Sequence, residues 1–189
     1  MAALNLITFP DAAGSRAGVL LSGGRVLDLA VAMPPARDML SVIDGGAAML
    51  AAIRALAANP PANAVLPLAS VALQAPIPKP RRNVFCVGRN YMDHVAEGDR
   101  TRGITQSEVP KYPQFLTKAA DCVIAPGAKV PTHEGVTKWL DYEVELVAII
   151  GKTGRDIPKE KALEHVFGWT IGNDVTGRDL QRRHGQWHL

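Results

Sequence analysis

The 189-residue chain is 47% hydrophobic and 21% charged, the profile of one soluble globular domain or of a domain with a small appendage. Its net charge is +3 with a pI near 9.0, and its basic residues are scattered apart from short pairs at Arg81-Arg82 and Arg182-Arg183. With so few aromatics between them, this pattern argues against a nucleic-acid partner.

The first residues, MAALNLITF, lack the basic start of a signal peptide. LNLITF (4–9) predicts a strand, and RAGVLL and RVLDLA predict a hairpin about Ser22-Gly23-Gly24, where glycine tolerates positive φ. PARDMLSVI and AAMLAAIRALAA predict helices, interrupted at Gly45-Gly46 and stopped by Asn59-Pro60-Pro61. The most apolar stretch, 46–58, is too short to span a bilayer and contains Arg54, so no membrane partner is expected. Residues 1–75 therefore read as a small N-terminal module with no histidine and only dispersed acidic residues.

PIPKPRR (76–82) is a proline-rich linker, and beyond it the composition changes. All 5 histidines, 3 tryptophans and 3 tyrosines lie past residue 90, so the chemistry is expected in 83–189. NVFCVG (83–88) predicts a strand leading to a short helix around His94, and PQFLTKAA and CVIAPG predict short extended pieces. EVELVAII (143–150) is the clearest strand, DIPKEKALEHV (156–166) a helix with proline in its first turn, and FGWTIGNDV (167–175) a returning strand. The expected class is α+β and β-rich. Cys86 and Cys122 cannot make a disulfide framework, and a cytoplasmic protein with reduced thiols is expected.

In a strand, residues two apart share a face. Glu143, Glu145, Val147 and Ile149 then point one way, and Val144, Leu146, Ala148 and Ile150 the other. Both faces turn apolar within a residue or two, so the two carboxylates sit at the rim of a buried surface, where mutual repulsion is costly. A hard divalent cation relieves that repulsion. Spacing alone still favours an edge strand with two solvated glutamates. Asp174, at the end of the next apolar strand, is the candidate third oxygen donor, although spacing alone favours a turn aspartate after Asn173.

Taken together, VGRNYMDHVAE, FLTKAADCVIAPG, LDYEVELVAIIGK, VFGWTIGNDVTGRDLQ and HGQW, in this order and at these spacings, resemble the fumarylacetoacetate hydrolase family. The likeness is to its bacterial acylpyruvate-hydrolase members. It runs over roughly 83–187, preceded by the small module that many members carry. The resemblance implies a mixed β-sandwich roll, usually homodimeric, and a Mg²⁺ or Mn²⁺ site, with Ca²⁺ a third candidate, held by Glu143, Glu145 and Asp174. It implies a catalytic pair, His94 and Glu97, on a mobile lid, and substrate contacts from Arg178, Gln181 and Lys118, the last in FLTK.

On that reading Glu97, one helical turn from His94, orients the imidazole and raises its basicity. His94 then activates water to cleave the C–C bond of an acylpyruvate such as fumarylpyruvate, with the ion stabilising the departing enolate. The same ligand set serves a decarboxylase or isomerase of oxaloacetate-like or hydroxymuconate-like acids. The family pattern continues past Gln186-Trp187, whereas His188-Leu189 follow here. A C-terminally shortened member with an incomplete roll is therefore expected, either active or an inactive family fragment. Its sheet is expected to leave strand edges unpaired and apolar faces exposed.

Overall fold

The computed structural model describes residues 3–12, 14–103 and 111–184, without the side chains of residues 94, 99, 101, 102 and 184. The chain is α+β. It divides into two compact units, one of Met1–Pro78, Ile124–Pro131 and Tyr142–Val175, the other of Lys79–Val123, Thr132–Asp141 and Thr176–Leu189. Among the described residues, no helix is long and apolar enough to cross a membrane.

The N-terminal residues build a four-stranded antiparallel sheet in the order β1 (Leu6–Asp11), β2 (Gly14–Leu21), β3 (Arg25–Asp28), β4 (Val65–Pro67). The β2–β3 connection turns at Gly23 and Gly24, whose φ values of 71° and 65° glycine adopts without steric cost. Three helices follow β3: α1 (Leu29–Ala32), α2 (Met39–Asp44) and α3 (Gly46–Ala58). Asp28 starts α1 by accepting the Ala30 N–H at 2.9 Å, and Asp38 starts α2 by accepting the Ser41 N–H at 2.8 Å. The buried Asp28 carboxylate is neutralised by Arg16 at 2.6 Å. Val19, Leu27, Leu29, Val42 and Ile53 form the core of this layer.

After residue 82, β5 (Val84–Gly88) is followed by α4 (Met92–Arg102) and by β6 (Gln114–Lys118), which pairs antiparallel with β5. A two-residue strand, β7 (Leu140–Asp141), precedes β8 (Val144–Ile150) and β9 (Val166–Asn173), and β8 and β9 form an antiparallel pair. The last elements are β10 (Thr176–Gly177), antiparallel to β7, and α5 (Arg178–His184).

Between β8 and β9 the helix expected over 156–166 is a shorter, tighter 3₁₀ helix, Lys159–His165. Pro158 is its N-cap rather than a first-turn residue, and Asp156 ahead of it stands at φ 53°. A residue in the left-handed region cannot belong to a right-handed helix, so the helical turn starts only after the proline.

The alternation of β8 appears as expected on one face only. Glu143, Glu145, Val147 and Ile149 are half-buried, while Val144, Leu146, Ala148 and Ile150 are exposed. Cross-strand pairing continues this outward face onto Trp169 and Ile171 of β9. Leu146 and Ile171, directly opposite one another, are 63% and 74% exposed. Two strands make a sheet with one partly covered side and one open to solvent. The expected exposed apolar face is present, and in the described ladders β8 and β9 pair only with each other. An isolated pair of strands is marginal in water. Phe167 of β9 supplies tertiary support by packing against the N-terminal core.

Two outcomes follow from this arrangement. Phe167→Ala is expected to cost about 2 kcal/mol, and hydrogen exchange should show β8–β9 amides losing protection while β1–β4 amides keep theirs. Leu146→Lys combined with Ile171→Glu replaces an exposed apolar pair by opposite charges facing each other. It should lower binding of a hydrophobic dye and raise the soluble fraction, with a stability change within about 0.5 kcal/mol.

Candidate active site

In the first unit, strand register brings the Glu145 and Asp174 carboxylates together, with the Glu143 backbone beside them. Val144 stands opposite Asn173 and Glu145 opposite Gly172, so the start of β8 and the end of β9 lie side by side. Two further bonds close this corner. The Asp174 N–H donates to the Glu143 carbonyl at 2.8 Å, and the Glu143 N–H donates to Asn173 Oδ1 at 3.1 Å. Glu143, Glu145 and Asp174 are all half-buried, and a carboxylate oxygen of Glu145 lies within 4.8 Å of one of Asp174. Glu143 shares their corner through its backbone, but its carboxylate does not complete a group of three within that distance among the described residues.

Gly172, opposite Glu145, allows a close approach of Val147. A Cβ at this position would come within 3.0 Å of Val147 Cγ2, closer than packed side chains normally approach. The Glu145 and Asp174 carboxylates are oxygen donors of the kind hard divalent cations take, and like charges at this separation favour such an ion. This pair of carboxylates therefore fits a hard divalent cation.

The second unit carries the remaining expected residues. Arg178 and Gln181 lie on α5 and meet there, with Arg178 Nη1 donating to Gln181 Oε1 at a long 3.4 Å. Arg178 Nε makes the stronger bond, to Asp141 Oδ2 at 2.8 Å. The helix is held in place by its neighbours. The Arg178 N–H donates to the Trp139 carbonyl at 2.9 Å. The Asp179 carboxylate accepts from the Thr137 hydroxyl and from the Lys138 N–H, and these bonds hold its pKa below the ordinary carboxylate value. Lys118 closes β6 opposite Val84 and is half-buried. His94 and Glu97 both lie in α4, one turn apart. The Glu97 side chain is exposed, and the His94 side chain lies outside the described residues.

Three residues with a part in these corners escaped the sequence reading. In the sequence Asn173 is only the neighbour of Asp174, yet its side chain accepts the Glu143 N–H. Gly172 carries no signal until its cross-strand partner is known. Asp141 stands two residues before Glu143 in LDYEVEL, but its partner is 37 residues away in sequence, beyond any local pattern.

Comparison with known proteins gives this geometry a family. Residues 83–189 match the model for the fumarylacetoacetate (FAA) hydrolase C-terminal family. The chain is similar to an oxaloacetate tautomerase of Bacillus subtilis, 48% identical over 122 residues that cover 65% of this chain and 39% of that protein. A human mitochondrial oxaloacetate tautomerase is 38% identical over 172 residues, covering 89% of this chain and 51% of that protein. The chain thus spans about half or less of the length of these curated relatives. Among solved structures, fumarylacetoacetate hydrolase from psychrophilic Exiguobacterium antarcticum shares the fold, with a TM-score of 0.73 and 36% identity, over 98% of this chain and 60% of that one. With a family model matching more than half its length, this chain belongs to the fumarylacetoacetate hydrolase family.

Proposed function

We propose that this chain carries the ion-binding and keto-acid-binding residues of a tautomerase or isomerase acting on oxaloacetate-like 2-keto acids. The observation that carries this reading is the Glu145–Asp174 carboxylate pair within 4.8 Å on a half-buried face. Relatives named as oxaloacetate tautomerases narrow it from the family at large. They favour isomerisation over the acylpyruvate hydrolysis expected from the sequence.

Glu145 and Asp174, with Glu143 beside them, would hold Mg²⁺ or Mn²⁺. Bound there, a divalent ion supplies electrostatic stabilisation for negative charge developing on a substrate keto oxygen. The chain's own residues then have defined tasks. Arg178, Gln181 and Lys118 grip carboxylate and carbonyl oxygens, the arginine through its planar fork of donors. His94 takes the proton from the carbon between the two carbonyl groups and returns it at the other end of the keto–enol system. Glu97, one turn along the helix, keeps the imidazole in the tautomer that accepts that proton. The net change is the relocation of one proton, and no water need attack. A homodimer, as the family resemblance implies, belongs to the same reading.

Hydrolysis of an acylpyruvate is the second reading, favoured by the structural likeness to a fumarylacetoacetate hydrolase. It uses the same residues, with His94 drawing its proton from water instead of carbon. Steady-state rates with oxaloacetate enol and with an acylpyruvate, each with Mg²⁺, separate the two. Tautomerisation should exceed hydrolysis, and chelation with EDTA should abolish it. Glu145→Gln and Asp174→Asn should each lower kcat/KM by roughly a hundredfold, the equivalent of about 3 kcal/mol of lost stabilisation. Activity unchanged in both variants would sink the site.

A further inference from the structure

We infer that Asp141 is a positioning residue that fixes the guanidinium of Arg178, so that the arginine presents one orientation to a substrate carboxylate. The inference rests on the keto-acid reading above and extends it to a residue that reading does not use.

The stretch Thr137–Asp141 grips the first turns of α5 in several ways. The Arg178 N–H donates to Trp139 O at 2.9 Å. Thr137 and the Lys138 N–H hold Asp179. Arg182 stacks its guanidinium over Trp139, 4.5 Å from the ring centroid. Thr176, two residues before the helix, stands opposite Asp141 in the β7–β10 ladder. Arg178 thus leaves a backbone that is already fixed, and Asp141 Oδ2 takes its Nε at 2.8 Å.

The choice of Nε matters. A guanidinium is planar and carries five N–H donors, and capture at Nε sets the rotation of that plane. The Nη end of the fork is then directed toward Gln181, whose Oε1 lies 3.4 Å from Nη1. The two side chains assigned to substrate are thereby set at one place on the helix. The side chains of Arg178 and Asp141 are 21% and 38% exposed, so the pair is partly shielded yet open to a small ligand. Rotamer freedom that a long side chain would lose on gripping a ligand is removed before the ligand arrives.

A pair that merely neutralised charge would need a carboxylate but no particular atom. A positioning pair needs an acceptor oxygen at Nε. Asp141→Asn keeps an oxygen acceptor and drops the charge, whereas Asp141→Ala drops both. The test is steady-state tautomerisation of oxaloacetate with Mg²⁺ on the full chain, with the Arg178 Nε–H followed by NMR. Asp141→Ala should raise KM about tenfold or more with kcat within about twofold. Asp141→Asn should raise KM by less than about threefold and keep the Arg178 Nε–H protected from exchange.

An unchanged KM in Asp141→Ala overturns the inference while leaving the keto-acid reading in place. So does a KM in Asp141→Asn as high as in Asp141→Ala, which would assign a charge-neutralising role. Should Asp141→Ala fail to fold, Asp141→Asn decides: loss of Nε–H protection with KM unchanged also overturns it. If the unaltered chain neither binds nor turns over oxaloacetate, the keto-acid reading falls and this inference falls with it.

Discussion

The register of β8 against β9 is the constraint on which the proposed carboxylate site depends. Val144 opposite Asn173 and Glu145 opposite Gly172 bring Asp174 to the corner where Glu143 and Glu145 begin their strand. A slip of one residue would turn Glu145 to the exposed face and Val144 inward, because strand side chains alternate with a period of two. It would also break the bonds from the Asp174 N–H to Glu143 O and from the Glu143 N–H to Asn173 Oδ1. The carboxylates are thus aligned by backbone pairing, and the turn side chain of Asn173 locks that pairing.

This register needs support that a two-stranded sheet cannot supply alone. The support is one-sided. Phe167 packs against the core of the N-terminal layer, while Leu146, Ile150, Trp169 and Ile171 stay exposed. A hydrophobic face of this kind raises the free energy of the isolated chain in water and invites association. The covered side, which carries the glutamates, is the side the site requires.

An economy of contacts governs the second unit. Thr137–Asp141 is barely a strand, with two residues in a ladder, yet it holds α5 through Asp179, Trp139 and Asp141. A helix of seven residues is too short to be stable by propensity alone, so tertiary ties decide whether Arg178 and Gln181 share a surface. The bond that keeps this helix in place and the bond that aims Arg178 come from the same five residues.

Local chemistry was legible in the amino-acid sequence. The glycine hairpin, the helix over 46–58, the strands at 84–88 and 144–150, and the shared face of Glu143 and Glu145 all follow from periodicity and turn residues, which act over a few neighbours. The motif set also pointed to the family. What the sequence left open depends on contacts between distant segments. Spacing could not choose between a turn aspartate and a partner for Asp174, because that depends on register across a connection of fifteen residues, Gly151–His165. It could not show which face of β8 is covered, since both faces are apolar and the choice is made by contacts with distant segments. Asp141 stayed silent for the same reason: its role exists only once β7 and β10 pair and bring Arg178 to it.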